Sequence, residues 1–359
     1  MSNMHTLGFL KGIFPVVPTP LQADESLDLA SLGHCLNFYM ASDIQGITVL
    51  GSGGELPYFS DAEQLRVVKH VKHIVQDKKP IIVGINAFSV EQAITKIEQY
   101  QGLADAVMLL FHGYYKQAFS DLKRAVAAVS ARSSVPVLYY HFPQITGHYL
   151  SAKQIIEILN DTGVVGMKDS ALQLKTAKTV LQGANPSAYF TGLSLLLPEI
   201  SPYLADDVNA DLPSALTSEP RVSASTKKDD LKTHTIGAIC PLGAIAPILT
   251  SQLYKDVHNG ETENAYALCT RLSNLLPIVN NLYLSPNRQY RLLRFAMRLP
   301  FNVLKQAASP QAASKEALRL LGVDISARVR RPLPALESSA SQLIKEYLTR
   351  GKLIKAKGC

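Results

Sequence analysis

Short apolar runs alternate with longer amphipathic ones along most of this chain. Eight of the short runs read as buried strands, at residues 12–18, 46–50, 80–84, 106–110, 136–140, 164–168, 188–191 and 236–240. Between them lie stretches with helical apolar spacing, such as Leu65, Val68, Val71 and Ile74 on one face. Three helical stretches open with a serine followed three residues later by Glu or Gln: Ser60 and Glu63, Ser89 and Gln92, Ser151 and Gln154. That is the spacing of a capping box, in which each side chain satisfies the other residue's free N–H. Strand and helix repeating about every 25 to 35 residues predict an α/β fold, a parallel (β/α)8 TIM barrel. A doubly wound open sheet more often carries a glycine-rich phosphate turn after its first strand, where this chain has Phe14-Pro15-Val16-Val17-Pro18-Thr19-Pro20.

Two stretches break the rhythm. The gap between the seventh and eighth strands grows to about 50 residues. Within it, residues 205–235 are rich in Asp, Ser, Pro and Lys and read as a mobile surface insertion. After the eighth strand no strand signal recurs. Helical patterns at 252–259, 263–281, 289–307 and 338–349 predict one last barrel helix and then an appendage. The barrel is therefore assigned to residues 8–259 and a C-terminal helical segment to 260–359.

Composition narrows the function classes. The chain has 359 residues, 47% of them hydrophobic and 18% charged, which suits a large core and excludes a disordered chain. Part of the net charge of +7 falls on Arg328, Arg330, Arg331, Lys345, Arg350, Lys352, Lys355 and Lys357, without aromatic interleaving. A solvated tail is expected there, and nucleic acid is not an expected partner. Cys35, Cys240, Cys269 and Cys359 lack metal-ligand spacing, which suits a reducing compartment and implies no metal. No apolar run has membrane-spanning length and residues 1–11 lack a signal-peptide pattern, so a cytoplasmic protein without a membrane partner is expected.

In such a barrel the chemistry gathers at the C-terminal ends of the strands. The sixth run ends in Gly166-Met167-Lys168-Asp169-Ser170. A lysine amine in water, with an ordinary pKa of about 10.4, is almost wholly ammonium at neutral pH. Apolar walls disfavour the ammonium and free the amine to attack a carbonyl. The other strand ends supply Gly51-Ser52-Gly53-Gly54-Glu55, Gly113-Tyr114-Tyr115, Tyr139-Tyr140-His141-Phe142-Pro143 and Thr191-Gly192-Leu193-Ser194. An amine, several phenols and a glycine-rich amide loop fit imine chemistry on a 2-oxo acid. The lysine attacks the ketone, a phenol shuttles protons, and backbone N–H groups hold the carboxylate. Glu55 reads as a structural cap of its loop or of the next helix. By strand alternation, His141 should point away from Tyr140.

On these motifs the chain resembles the dihydrodipicolinate synthase / N-acetylneuraminate lyase family of class I, Schiff-base-forming pyruvate lyases. The resemblance runs from Gly12 to Pro334 and rests on Gly51 to Glu55, Tyr140 to Pro143 and Gly166 to Ser170, in order and at the corresponding strand ends. It implies that Lys168 forms the imine with pyruvate and Tyr140 is the proton shuttle. Ser52 and Gly53 then hold the pyruvyl carboxylate, and Gly192 lines the pocket. Tyr115 matches a tyrosine lent across a tight dimer, so a homodimer or homotetramer is implied, with no cofactor.

Three departures bear on the substrate. Gly53 stands where the family's proton relay has a second hydroxyl residue. Ile145 stands where the synthases place an arginine for the second substrate's carboxylate. Leu193, Ser194 and Leu195 stand where the neuraminate lyases place acidic residues for sugar hydroxyls. The expected activity is condensation or cleavage of pyruvate, or another 2-oxo acid, and an aldehyde whose remainder is less polar. The alternatives are 4-hydroxy-tetrahydrodipicolinate synthase proper, a 2-oxo sugar acid dehydratase using the same imine, and a catalytically weak 2-oxo acid sensor.

Overall fold

The computed structural model describes residues 8–203, 234–298 and 310–355. Eight parallel strands form one sheet in the order β1-β8-β7-β6-β5-β4-β3-β2. They are β1 (Gly12–Ile13), β2 (Ile47–Val49), β3 (Ile81–Ala87), β4 (Ala106–Phe111), β5 (Val137–His141), β6 (Gly166–Asp169), β7 (Ala188–Thr191) and β8 (Thr235–Ala238). The ring closes beyond β1, where Val16 bridges Thr48 and the Val17 N–H donates to the Thr48 carbonyl at 2.8 Å. The fold is a (β/α)8 barrel with C-terminal helices.

The first strand is far shorter than the predicted 12–18. Pro15 and Pro18 carry no N–H for a ladder, so regular pairing stops at Ile13 although the segment still threads between β8 and β2. Alternation along the strands divides the core into two parts. Ile82, Met108, Leu138, Tyr140 and Phe190 face the barrel interior, with Phe14 edge-on to Phe190 at 5.3 Å between ring centres. Ile81, Val83, Val107, Val137, Met167 and Tyr189 face the surrounding helices. At Gly166 the strands approach so closely that an added Cβ would sit 2.1 Å from the Ala188 carbonyl oxygen.

Ser60 and Ser151 form complete capping boxes with Glu63 and Gln154. The box expected at Ser89 is half made. Its Oγ accepts from the Gln92 N–H, but the Gln92 Oε1 takes the Phe88 N–H instead. Beyond β8, the helix Pro247–His258 completes the barrel, and the predicted 263–281 helix breaks into Thr262–Ser273 and Leu276–Val279 next to Pro277. The helices Pro286–Arg298 and Ala340–Arg350 correspond to the last two predicted patterns. A further helix, Gln311–Leu320, was not predicted. Most of the insertion predicted at 205–235, and positions 299–307 of one predicted helix, lie outside the described residues.

Of the C-terminal basic residues, Arg328, Arg331, Arg350, Lys352 and Lys355 are exposed as expected, but Arg330 is not. Arg330 lies 4.8 Å above the Phe59 ring and donates to Glu63 at 2.8 Å, so its charge is used in docking this segment. Cys35, Cys240 and Cys269 are buried, and burial pushes the thiols of Cys35 and Cys269 up to about 12, which makes them poor nucleophiles. Among the described residues no helix is long and apolar enough to cross a membrane.

Candidate active site

The site is built from two adjacent strand ends and one loop. In the β5–β6 register Tyr140 stands opposite Lys168, and both side chains point into the barrel. Lys168 is 4% exposed and Tyr140 4%, so an amine and a phenol meet in a nearly dry space. The Lys168 Nζ donates to the Tyr140 hydroxyl at 3.1 Å and lies 4.3 Å from the centre of its ring. On the other side, the Ser52 Oγ lies 3.3 Å from the same hydroxyl. The three groups form one hydrogen-bonded chain from amine to phenol to alcohol. With glycine at 53, Ser52 is the hydroxyl that reaches the phenol.

The loop that carries Ser52 is held from a distance. Residues Ser52–Gly54 make a single 3-10 turn, and Glu55 follows in the left-handed region at φ 61°. That conformation is uncommon for a non-glycine residue and persists where its surroundings enforce it. Here the Glu55 carboxylate is fully buried. It pairs with the equally buried Lys315 and accepts the Arg330 N–H at 2.8 Å. Lys315 also donates to the Arg328 carbonyl at 2.5 Å. Burial draws the Lys315 ammonium below its ordinary range, against the attraction of Glu55. Gln311 donates to the Ser52 carbonyl at 3.0 Å, and the Thr19 hydroxyl donates to the Gly54 carbonyl at 2.7 Å. Glu55 is therefore not the cap of the following helix, which Ser60 provides; it anchors the loop to the C-terminal segment. Lys315 and Gln311 escaped the sequence reading. The usable signal was a lone lysine among Ala312, Ala313, Ala317 and Leu318.

The remaining predicted residues fall into two groups. Gly192 lies where a side chain does not fit, and Gly53 where one is tight. A Cβ at Gly53 would press on Val16 at 3.2 Å, and one at Gly192 would meet the Ser170 Oγ at 2.6 Å. The Gly192 N–H donates to the Asp169 carbonyl at 2.6 Å, which ties the end of β7 to that of β6. Tyr115 and Ile145 are not drawn into the hydrogen-bonded chain. Tyr115 is 80% exposed and packs edge-on against Tyr114, which is 86% exposed. Ile145 is 46% exposed on the short helix Pro143–Thr146. Leu193, Ser194 and Leu195 are buried in the packing around the barrel.

The residues after Tyr140 and Lys168 face outward. His141 meets Asp169 at 3.3 Å, and the Tyr189 hydroxyl donates to the other Asp169 oxygen at 2.8 Å. Burial pushes the Asp169 carboxyl upward. Its hydrogen bond and charge interaction with His141, the Ala171 N–H and Tyr189 outweigh this and hold it below the usual carboxylate range. Among the described residues no group of three or more His, Cys, Asp or Glu is placed to hold a metal ion.

Known proteins supply the context for this geometry. The model of the Dihydrodipicolinate synthetase family matches residues 9–202. A 4-hydroxy-tetrahydrodipicolinate synthase of Caldicellulosiruptor bescii is 24% identical over 343 residues, covering 95% of this chain and 97% of that one. A probable 2-dehydro-3-deoxy-D-pentonate aldolase of Escherichia coli, YjhH, is 25% identical over 181 residues, covering 49% of this chain and 60% of that one. The crystal structure of YagE from Escherichia coli, of the dihydrodipicolinic acid synthase family and in complex with pyruvate, superposes with a TM-score of 0.72 at 21% identity. That alignment covers 96% of this chain and 99% of YagE. With its family model spanning β1 to β7, including the strand ends at Tyr140 and Lys168, this chain belongs to the dihydrodipicolinate synthetase family of lyases and aldolases.

Proposed function

We propose that this protein joins or splits a 2-oxo acid, with pyruvate the first candidate, and an aldehyde through an imine on Lys168. The buried chain of Lys168, Tyr140 and Ser52 at the mouth of the barrel carries the reading. In its free-base form the Nζ adds to C2 of the 2-oxo acid, and the carbonyl oxygen gains a proton to give a carbinolamine. Tyr140 passes a proton to that hydroxyl, water leaves, and the protonated imine remains. Tyr140, left as the phenolate, takes a proton from C3 to give an enamine, whose carbon attacks the aldehyde while the phenol returns that proton to the aldehyde oxygen. Water then adds to the new imine, releasing product and restoring the amine. The water that hydrolyses the product imine supplies the proton that restores the phenol, with Ser52 as the hydrogen-bonded relay. The first N–H groups of the turn at Ser52 and Gly53, which have no partner within the turn itself, receive the substrate carboxylate.

The second substrate is proposed to be an aldehyde without a carboxylate at its far end. Where the synthases use a guanidinium, Ile145 offers an alkyl group. Loss of one charge-assisted hydrogen bond of about 1.5–3 kcal/mol weakens such a substrate about ten- to hundredfold. The exposed Tyr114 and Tyr115 fit a homodimer, alone or within a tetramer, that covers the β4 loop.

Borohydride added with pyruvate tests the central step. Reduction should fix a pyruvyl group on Lys168 in the wild type, detected by peptide mass spectrometry, and leave Lys168→Ala unlabelled. A wild type that stays unlabelled, under conditions that label another family member, would sink the proposal. A panel of aldehydes that includes aspartate semialdehyde then tests the acceptor, with slower turnover expected for the carboxylated one.

A further inference from the structure

The face of β5 and β6 turned away from the reacting groups carries its own buried polar assembly. Side chains alternate along a strand, so each residue that points into the barrel is followed by one that points out. Tyr140 and Lys168 are opposite one another in the register, and so are His141 and Asp169, one step further on. The inner pair and the outer pair therefore hang from the same two stretches of backbone.

The outer pair is tied to everything around it. Asp169 accepts from His141 at 3.3 Å, from the Ala171 N–H at 2.9 Å and from the Tyr189 hydroxyl of β7 at 2.8 Å. The Ser170 N–H donates to the His141 carbonyl at 2.8 Å, and the Gly192 N–H donates to the Asp169 carbonyl. Three consecutive strands are thus joined at the level of the site by one carboxylate and its backbone. His141 is 2% exposed, and its Nε2 is buried with no hydrogen-bond partner among the described residues. An ionised carboxylate only accepts, so the Nδ1 facing it carries the proton. A buried imidazole with one nitrogen unsatisfied is a poor way to fill a core. Its placement makes sense through the nitrogen that is used.

We infer that His141, Asp169 and Tyr189 form an outer clasp that sets the distance between Lys168 and Tyr140, and so act as positioning residues for the reaction inside the barrel. The inference rests on the imine reading above. A slip of about 1 Å between reacting groups can cost about a hundredfold in rate. Loosening the clasp is expected to slow the chemical step while leaving pyruvate binding in place, because the carboxylate cradle lies on the other side, at Ser52 and Gly53.

The test compares Asp169→Asn, His141→Ala, His141→Asn and Tyr189→Phe in the full chain. For each, the rate of borohydride-fixed labelling by pyruvate is measured per folded site, with kcat and KM for the best aldehyde pair. Asp169→Asn and His141→Ala are expected to lose about ten- to hundredfold in labelling rate and kcat, with pyruvate KM little changed. His141→Asn restores an N–H donor toward Asp169 and should recover most of that loss. Tyr189→Phe, which removes one hydroxyl and keeps the ring, should fold normally and fall a few-fold. Should all four label at the wild-type rate per folded site, or lose pyruvate affinity rather than rate, the clasp is overturned and the imine stands. An unlabelled wild type overturns both.

Discussion

Two loops at the mouth of this barrel carry residues singled out in the sequence, and they are finished in opposite ways. The glycine loop after β2 is closed from within the chain. Glu55 is buried against Lys315, Gln311 holds the Ser52 carbonyl, and Thr19 holds Gly54. Among the described residues, the tyrosine loop after β4 has no such fastening. Tyr114 and Tyr115 lean on each other and otherwise face solvent. A hydroxyl that must stay within reach of Tyr140 needs the first kind of loop. The second kind suits a side chain whose surroundings come from outside the chain. A motif can therefore mark a position without saying who completes it.

The largest effect that would sharpen this contrast is expected at Lys315. Lys315→Met leaves the Glu55 carboxylate buried and unpaired, which should cost about 3–5 kcal/mol in urea unfolding. Adding Glu55→Gln should return much of that stability, since removal of both charges spares the desolvated carboxylate. If the single variant unfolds at the wild-type midpoint, the glycine loop is not fastened as described. A smaller effect is expected of Ser52→Ala, which removes the hydroxyl 3.3 Å from Tyr140. Turnover should fall about two- to tenfold, in line with one neutral hydrogen bond. Unchanged turnover would take Ser52 out of the proton path.

On the opposite loop, Tyr115→Ala should leave the unfolding midpoint of the dilute chain within about 0.5 kcal/mol of wild type. Its cost should appear in assembly, as activity that falls on dilution more steeply than in the wild type, with sedimentation reporting the dissociation. Activity and sedimentation that match wild type at every concentration would remove the partner from the site. The smallest effect concerns acid. The Asp169 carboxyl lies below its usual value when folded, so its contribution is complete above that usual value of about 3.9. It is lost as pH falls from there through the lowered folded value. Asp169→Asn should therefore flatten this part of the stability curve, measured as unfolding midpoints between about pH 6 and pH 3. An unchanged acid limb would show that the carboxylate is not held as its contacts indicate.

Much of the architecture could be read from apolar patterning, because parallel strands buried on both faces appear as short continuous runs that end in polar residues. Lys168 and Tyr140 were legible for the same reason, each closing such a run. The short β1 was misjudged in length because Pro15 and Pro18 keep the run apolar while removing its donors. Alternation gave the direction of His141 but not its partner, since register between neighbouring strands is a tertiary property. The helix Gln311–Leu320 was missed because alanines on several faces blur the stripe that marks an amphipathic helix. Its bonds to Glu55 and Ser52 join residues far apart in sequence, and nothing local announces them. Tyr115 could be placed on a loop by its glycine neighbour, yet its environment is not encoded near it.

The contact from Gln311 to Ser52 spans 259 positions. A ribosome making this chain exposes the Ser52 turn long before it supplies the Gln311 that fastens it. Until the helix Gln311–Leu320 emerges, the growing chain has the Ser52 turn without the side chains that hold it. Trimming the protein back to a bare barrel would return it to that unfinished condition.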